Sequence, residues 1–242
     1  VLKLNEAMLY HGEALQHLMS MDTESVDAVL TDPPYSTGGT FSAQRQRSPS
    51  QKYQANDAKR KQQTFSGDNR DQRSFTTWAT LWLTECHRVT KQGGTCMVFS
   101  DWRQLPAMTD ALQAGGWVWR NIVVWHKPSA RPILGEFTRQ CEFILFGVKE
   151  KLNRTHRRCL PGVYKQSIVA HQHRKHLTEK PIPLLEKLLE VTPDGATVLD
   201  PFMGSGTTGA ACIQTGRRFV GVELSETYYE AARSRLTQPQ DK

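Results

Sequence analysis

Residues 198–212 read VLDPFMGSGTTGAAC. A short apolar strand runs into Asp200, a glycine-bearing turn follows, and a helix of small residues comes next. This order limits what the chain can become. A strand that feeds a helix through a tight turn belongs to a βαβ unit, and such units stack into parallel sheets covered by helices. The glycines let the backbone approach a ligand closely. The helix start supplies N–H groups that have no partner within the helix.

Strand and helix patterns alternate through most of the chain. AMLYHGEALQHLMSM (7–21) reads as a strand and then a helix with Leu15, Leu18 and Met19 on one face. VDAVLT (26–31) is a buried strand that ends at Asp32. A helix is predicted from Ser74, an N-cap type, to Gly93–Gly94, with Phe75, Trp78, Leu81, Trp82, Glu85 and Val89 at helical spacing. TCMVFS (95–100) is a strand, and a helix over 103–114 ends at Gly115–Gly116. Strand patterns at 117–126 and 141–148 have no helix between them, so they are predicted to form an antiparallel edge. PIPLLEKLLEV (181–191) is a helix with Pro183 in its first turn. TVLD, RFVGVE and a last helix through Tyr228 and Leu236 complete the pattern. The expected fold is α/β, doubly wound, with a mainly parallel sheet and one domain over 1–242.

Charge is uneven. The chain carries a net +7, but residues 36–75 alone hold +5 and residues 149–180 hold +7, leaving the remainder acidic. Two solvated loops are the plainer explanation; two arms gripping a phosphate backbone are the sharper and favoured one. The polar stretch 36–73 is too long for an ordinary connection, so it reads as a functional loop or a disordered one. Five scattered cysteines with no CxxC pair suggest a reducing compartment. No signal peptide and no membrane-length apolar run are seen, so a soluble, cytoplasmic protein is expected. Cys159, His171, His173 and His176 do not have a standard zinc spacing, and no metal is assigned.

Gly204, Gly206 and Gly209 also match GxGxxG, with Glu223 placed as a ribose-binding acid, so a nicotinamide oxidoreductase has to be weighed. Asp200 would repel a pyrophosphate there, and little chain follows to form a substrate domain. A Walker A loop fails because no lysine follows the glycines. A carboxylate in the turn suits a cationic ligand such as S-adenosylmethionine. Asp200 would then meet its ammonium directly or through water, Glu223 its ribose hydroxyls, and Phe202 would pack on it. The simpler alternative is that Asp200 caps the following helix.

Two motifs together, DPPY at 32–35 and LDPFMGSGTT at 199–208, resemble those of the DNA amino-methyltransferases. Their order, catalytic motif first and cofactor motif last, is similar to the circularly permuted β-type members. RVTKQGG (88–94), VVWHKP (123–128), EFILFGVK (142–149), HLTEKPIPLLEKLL (176–189) and GRRFVGVELSETYYEAARSRL (216–236) resemble further family segments. The resemblance implies a Rossmann-like methyltransferase fold and methyl transfer from S-adenosylmethionine to N6 of adenine in DNA, in a restriction–modification setting. N4 of cytosine is the near alternative; an inactive DNA-binding module is a remote one.

The resemblance also assigns roles. Asp32, Pro33, Pro34 and Tyr35 take the catalytic positions. Asp32 would accept one amine N–H, the Pro33 carbonyl the other, and Tyr35 would stack on a flipped base. Thr178, Lys180, Asp200, Phe202, Gly204, Ser205, Gly206, Thr207 and Glu223 take cofactor positions. Residues 149–175 stand where target recognition is expected. Arg45, Arg47, Lys52, Arg131, Arg139, Arg157, Arg158, Lys165, Arg174 and Lys175 are the candidate DNA contacts. Tryptophans 117–125 fit core packing better than DNA contact. DNA is the implied partner, with room for a homodimer.

Overall fold

The computed structural model describes residues 2–3, 6–35, 72–130, 132–154, 159–169 and 179–237. In chain order the elements are β1 (Leu2–Lys3), β2 (Ala7–His11), α1 (Ala14–Ser20), β3 (Val26–Thr31), α2 (Gln72–Val89), β4 (Thr90–Ser100), α3 (Leu105–Ala114), β5 (Val118–His126), β6 (Cys141–Val148), β7 (Val163–Lys165), α4 (Ile182–Leu189), β8 (Thr197–Asp200), α5 (Thr207–Gln214), β9 (Arg218–Glu223) and α6 (Glu226–Thr237). Among the described residues nine strands form one sheet in the order β1-β2-β9-β8-β3-β4-β6-β5-β7. From β2 to β4 every pairing is parallel; β6 turns the direction and pairs antiparallel with both β4 and β5.

Alternation along the strands sends side chains to opposite faces. Ala28 and Leu30 of β3 enter a core shared with Leu184 and Leu188 of α4, Ala210 of α5 and Tyr229 of α6. Val29, between them, enters the other core, with Leu18 of α1, Phe75 and Trp82 of α2 and Met108 of α3. Helices therefore cover both faces, as a doubly wound fold requires. Among the described residues no helix is long and apolar enough to cross a membrane.

Several boundaries differ from the sequence expectation. α2 starts two residues before Ser74 and ends at Val89, and Gly93–Gly94 lie inside β4. Lys149 decides this: its N–H donates to Gly94 O, and its carbonyl accepts from Gly93 N, each at 3.0 Å. The strand pairing captures the glycines that would otherwise stop a helix. α3 starts at Leu105 rather than 103, because Asp101 Oδ1 accepts from the N–H groups of Arg103 and Gln104 and holds a separate turn. On α1, Ala14 and Leu18 are buried, while Met19 points to solvent.

The β5–β6 hairpin is antiparallel as expected but is not the sheet edge. β7 lies outside it, parallel to β5, with Val124 opposite Val163. Tyr164 is buried in the core, and Trp125 Nε1 donates to Gln166 O at 2.7 Å. Part of the segment assigned to target recognition is thus built into the sheet. Trp117 and Trp125 are core residues, whereas Trp119 is exposed.

Candidate active site

β3 and β8 lie side by side and parallel, with Ala28 opposite Val198 and Val29 opposite Leu199. β8 ends in Asp200, and Asp32 immediately follows β3. Both acids therefore stand at the carboxyl ends of adjacent parallel strands, where open α/β sheets bind ligands. Thr31 Oγ1 donates to Asp200 Oδ1 at 2.7 Å, tying the two corners together beneath the site.

Asp32 is held from two sides. The Tyr35 hydroxyl donates to its Oδ1, and Lys180 Nζ donates to its Oδ2 at 2.6 Å. Lys180 is buried and also lies 3.3 Å from Glu142 Oε2, while Glu142 Oε1 pairs with Lys127 Nζ at 2.8 Å. The Lys180 ammonium sits 5.0 Å from the Phe99 ring centre and 5.5 Å from that of Tyr35. Two carboxylates and two ammonium groups thus alternate across the corner. Burial raises the Asp32 carboxyl above its ordinary value, and Lys180 opposes the rise. Burial acts on Glu142 in the same sense, but Lys180 and Lys127 outweigh it and hold that carboxyl below the usual range. Burial disfavours the Lys180 cation, yet Asp32 and Glu142 overcome this and raise its pKa. Burial, with Asp32 alongside, pushes the Tyr35 phenol well up, so it remains a donor.

The second corner is the turn 201–206. Met203 N–H donates to Val222 O and docks the turn on β9; Gly206 N–H donates to Met203 O and closes it. Gly206 has φ 79°, and a Cβ there would lie 2.9 Å from Ala232 Cβ, so the turn and α6 approach too closely for a side chain. Asp200 accepts from Phe202 N at 3.0 Å as well as from Thr31. It is buried, and burial pushes its pKa to about 6, with Thr31 and Thr208 opposing. Its contacts are those of a residue that shapes the turn. Glu223 accepts from Gly204 N at 3.0 Å and from Ser225 N at 2.7 Å, joining the turn to the end of β9.

Phe202 is half-buried, its ring centre 5.4 Å from that of Trp78 and 5.1 Å from that of Trp82. Thr207 is buried and its hydroxyl accepts from Arg235 Nη1, whose other nitrogen pairs with Glu179 at 2.6 Å. That pair anchors the segment before α4 to the turn. Ser205 Oγ is buried with no hydrogen-bond partner among the described residues. An unpartnered hydroxyl in a glycine turn, beside an acid-ended strand, fits a polar ligand such as S-adenosylmethionine.

The expected site residues divide as follows. Asp32 to Tyr35 form one corner, and Asp200, Phe202, Gly204, Ser205, Gly206 and Glu223 form the other. Lys180, expected beside the cofactor, is paired with Asp32, because the segment before α4 passes over the end of β3. Thr178, Arg45, Arg47, Lys52, Arg131, Arg157, Arg158, Arg174 and Lys175 lie outside the described residues, as do His171, His173 and His176. Among the described residues no group of metal-ligating side chains is placed to hold an ion. Lys165 is exposed on β7, and Arg139 is exposed but paired with Glu136 at 2.9 Å. Sequence reasoning missed Thr31, Phe99, Lys127 and Glu142. The available signal was a lysine and a glutamate bracketing the β5–β6 connection at the ligand end of the sheet.

Residues 26–234 match the DNA methylase family (N6_N4_Mtase). The type II methyltransferase M2.DpnII of Streptococcus pneumoniae is 29% identical over 258 residues, covering 96% of this chain and 90% of its own. The DNA adenine methyltransferase YhdJ of Escherichia coli is 27% identical over 268 residues, covering 96% and 83%. The crystal structure of the M1.HpyAVI–SAM complex superposes with a TM-score of 0.68 at 25% identity, over 96% of this chain and all of that one.

Proposed function

The chain belongs to the DNA methylase family, and from that premise we propose that its two acid-ended strands bring adenine N6 and the methyl donor together. It is an S-adenosylmethionine-dependent DNA methyltransferase. S-adenosylmethionine supplies an electrophilic methyl group on its sulfonium. The observation that carries the reading is the Thr31–Asp200 bond, which sets the cofactor turn and the DPPY corner side by side.

The chain's own residues then divide the work. Asp200 shapes the turn, Ser205 Oγ offers a free polar contact, and the Glu223 carboxylate accepts from the ribose hydroxyls. The amine of a flipped adenine replaces the Tyr35 hydroxyl on Asp32 Oδ1, and the freed ring becomes its stacking face. The Pro33 carbonyl takes the second N–H. Lys180 keeps Asp32 ionised from the far side. Because burial raises the Asp32 pKa, its carboxylate receives the proton shed by the methylated amine more readily than an exposed aspartate would. Positioning and fixed charge supply most of the rate.

The same reading includes the β-type order of motifs, DNA contact from the basic segment 36–75 (36–71 lie outside the described residues, and 72–75 open α2 rather than a loop), target recognition from 149–175, a cytoplasmic enzyme and a homodimer. Light scattering tests the last. Nucleoside mass spectrometry of treated DNA tests the reaction: N6-methyladenine is expected, and N4-methylcytosine would transfer the assignment to cytosine. Asp32→Ala should abolish the product while calorimetry still records S-adenosylmethionine binding. Retained turnover would remove Asp32 from the mechanism.

A further inference from the structure

The connection from β5 to β6 leaves the sheet directly above the catalytic corner. Thr31 is opposite Val98, Ser100 is opposite Phe143, and His126 is opposite Cys141, so residues 127–140 start and finish at the end of the sheet that holds Asp32. Lys127 and Glu142, at the two roots of this connection, belong to the ion-pair chain that reaches Asp32 through Lys180.

The connection is built. Lys127 N–H donates to Gln140 O at 2.7 Å and closes its base. Glu136 N–H donates to Ile133 O at 3.3 Å and closes a turn at its tip, with Gly135 at φ 75° supplying the left-handed residue. Arg139 pairs with Glu136 across that turn, so the one carboxylate at the tip is neutralised.

What this turn presents is apolar. Leu134 is 102% exposed and Phe137 97%, while every other exposed large apolar side chain among the described residues lies between 38% and 66%. Scattered apolar side chains on a surface are ordinary. Two fully exposed ones, three residues apart on a formed turn at the mouth of a site, are not accounted for by folding. One exposed cation, Lys165, stands on β7 opposite His126, beside the root of this connection. An apolar tip with a cation beside its root matches a stack of bases next to a phosphate backbone.

We propose that the Ile133–Glu136 turn and Phe137 form a wedge that enters the target duplex and fills the space vacated by the flipped base, with Phe137 stacking on the bases left behind and Leu134 beside it. This rests on the proposed methylation of a base in duplex DNA. Flipping breaks pairing and stacking at the target step, and an inserted ring replaces part of the lost stacking. Phe137 is a positioning residue here, since it does not touch the reacting atoms.

The test uses single-turnover methylation of two duplexes that differ in one nucleotide, built on the site read from DNA methylated by the wild-type enzyme. In one duplex the target base is paired; in the other it faces a mismatch that already weakens its pairing. Phe137→Ala should slow the paired duplex at least about tenfold and the mismatched one by no more than about twofold, with Leu134→Ala/Phe137→Ala more severe on the paired duplex. Phe137→Trp should restore the paired rate to within about threefold of wild type. S-adenosylmethionine affinity should not change in any variant. Equal loss on both duplexes, or no loss on either, overturns the wedge. So does loss of a concentration-dependent dimer with the paired rate intact, which would make the tip a contact between copies. Wild-type enzyme inactive on both duplexes would instead defeat the underlying reaction.

Discussion

Lys180→Met is the most informative change in the catalytic corner. Lys180 lies 2.6 Å from Asp32 Oδ2 and 3.3 Å from Glu142 Oε2. At an effective dielectric of about 20 the closer attraction is roughly 6 kcal/mol, much of it offset by dehydration of the buried ammonium. Removing the cation leaves Asp32 and Glu142 facing each other, and breaking a buried pair in this way costs about 3–5 kcal/mol. The corner escapes part of that cost by taking up a proton. Asp32 is the group to take it, because burial and Glu142 already raise its pKa and Lys180 opposes them, whereas Glu142 keeps Lys127. A protonated Asp32 no longer offers the amine a carboxylate.

The variant should therefore lose about 10²–10³ in the methyl-transfer rate near neutral pH and recover as the pH rises. Its stability should run the other way. A carboxyl whose folded pKa is raised contributes stability that is full below the unfolded pKa and is lost as the pH rises through the folded value. Lys180→Met should thus compare best with wild type in acid and worst in mild alkali, as read by urea denaturation across pH. Adding Glu142→Gln should return part of the lost stability, since the like charge is gone. If Lys180→Met shows the wild-type pH profile in both rate and stability, Lys180 does not control the charge on Asp32.

Two further expectations concern the cofactor corner. Gly206→Ala forces a side chain into left-handed backbone and places its Cβ 2.9 Å from Ala232 Cβ and 3.1 Å from Ala232 Cα. A loss of about 2–4 kcal/mol is expected in urea denaturation, with weaker S-adenosylmethionine binding by calorimetry; unchanged values would mean the turn can move away from α6. Asp200→Asn removes a carboxyl that burial pushes to about 6. Wild type gains from that group below its ordinary value and loses the gain as the pH rises through about 6, so the stability of the variant relative to wild type should grow by up to about 3 kcal/mol between pH 4 and 7. A flat difference across that range would place Asp200 in an ordinary, hydrated environment.

The two corners have different logics of assembly. The cofactor turn is largely local: Asp200, the glycines and the small-residue helix lie within a few residues, and Glu223 follows one strand later. Their spacing was readable because backbone turns and βαβ geometry act over short distances in the chain. The catalytic corner is not local beyond DPPY. Lys180 comes from a point 148 residues further along and Glu142 from the far hairpin, and only the order of strands brings them to Asp32.

Strand and helix alternation, the two acid-ended strands and the basic segments were properties of the sequence alone, because each follows from periodicity, turn chemistry or composition. Tertiary structure decided the rest. It made β3 and β8 neighbours and so joined Thr31 to Asp200. It placed β7 outside the hairpin that had looked like an edge, because Tyr164 gains burial there. It paired Lys180 with Asp32, and it left Leu134 and Phe137 bare on the connection rooted at Lys127 and Glu142. Charge pairing and exposure depend on what surrounds a side chain in space, and for residues so far apart in the chain no sequence spacing encodes that.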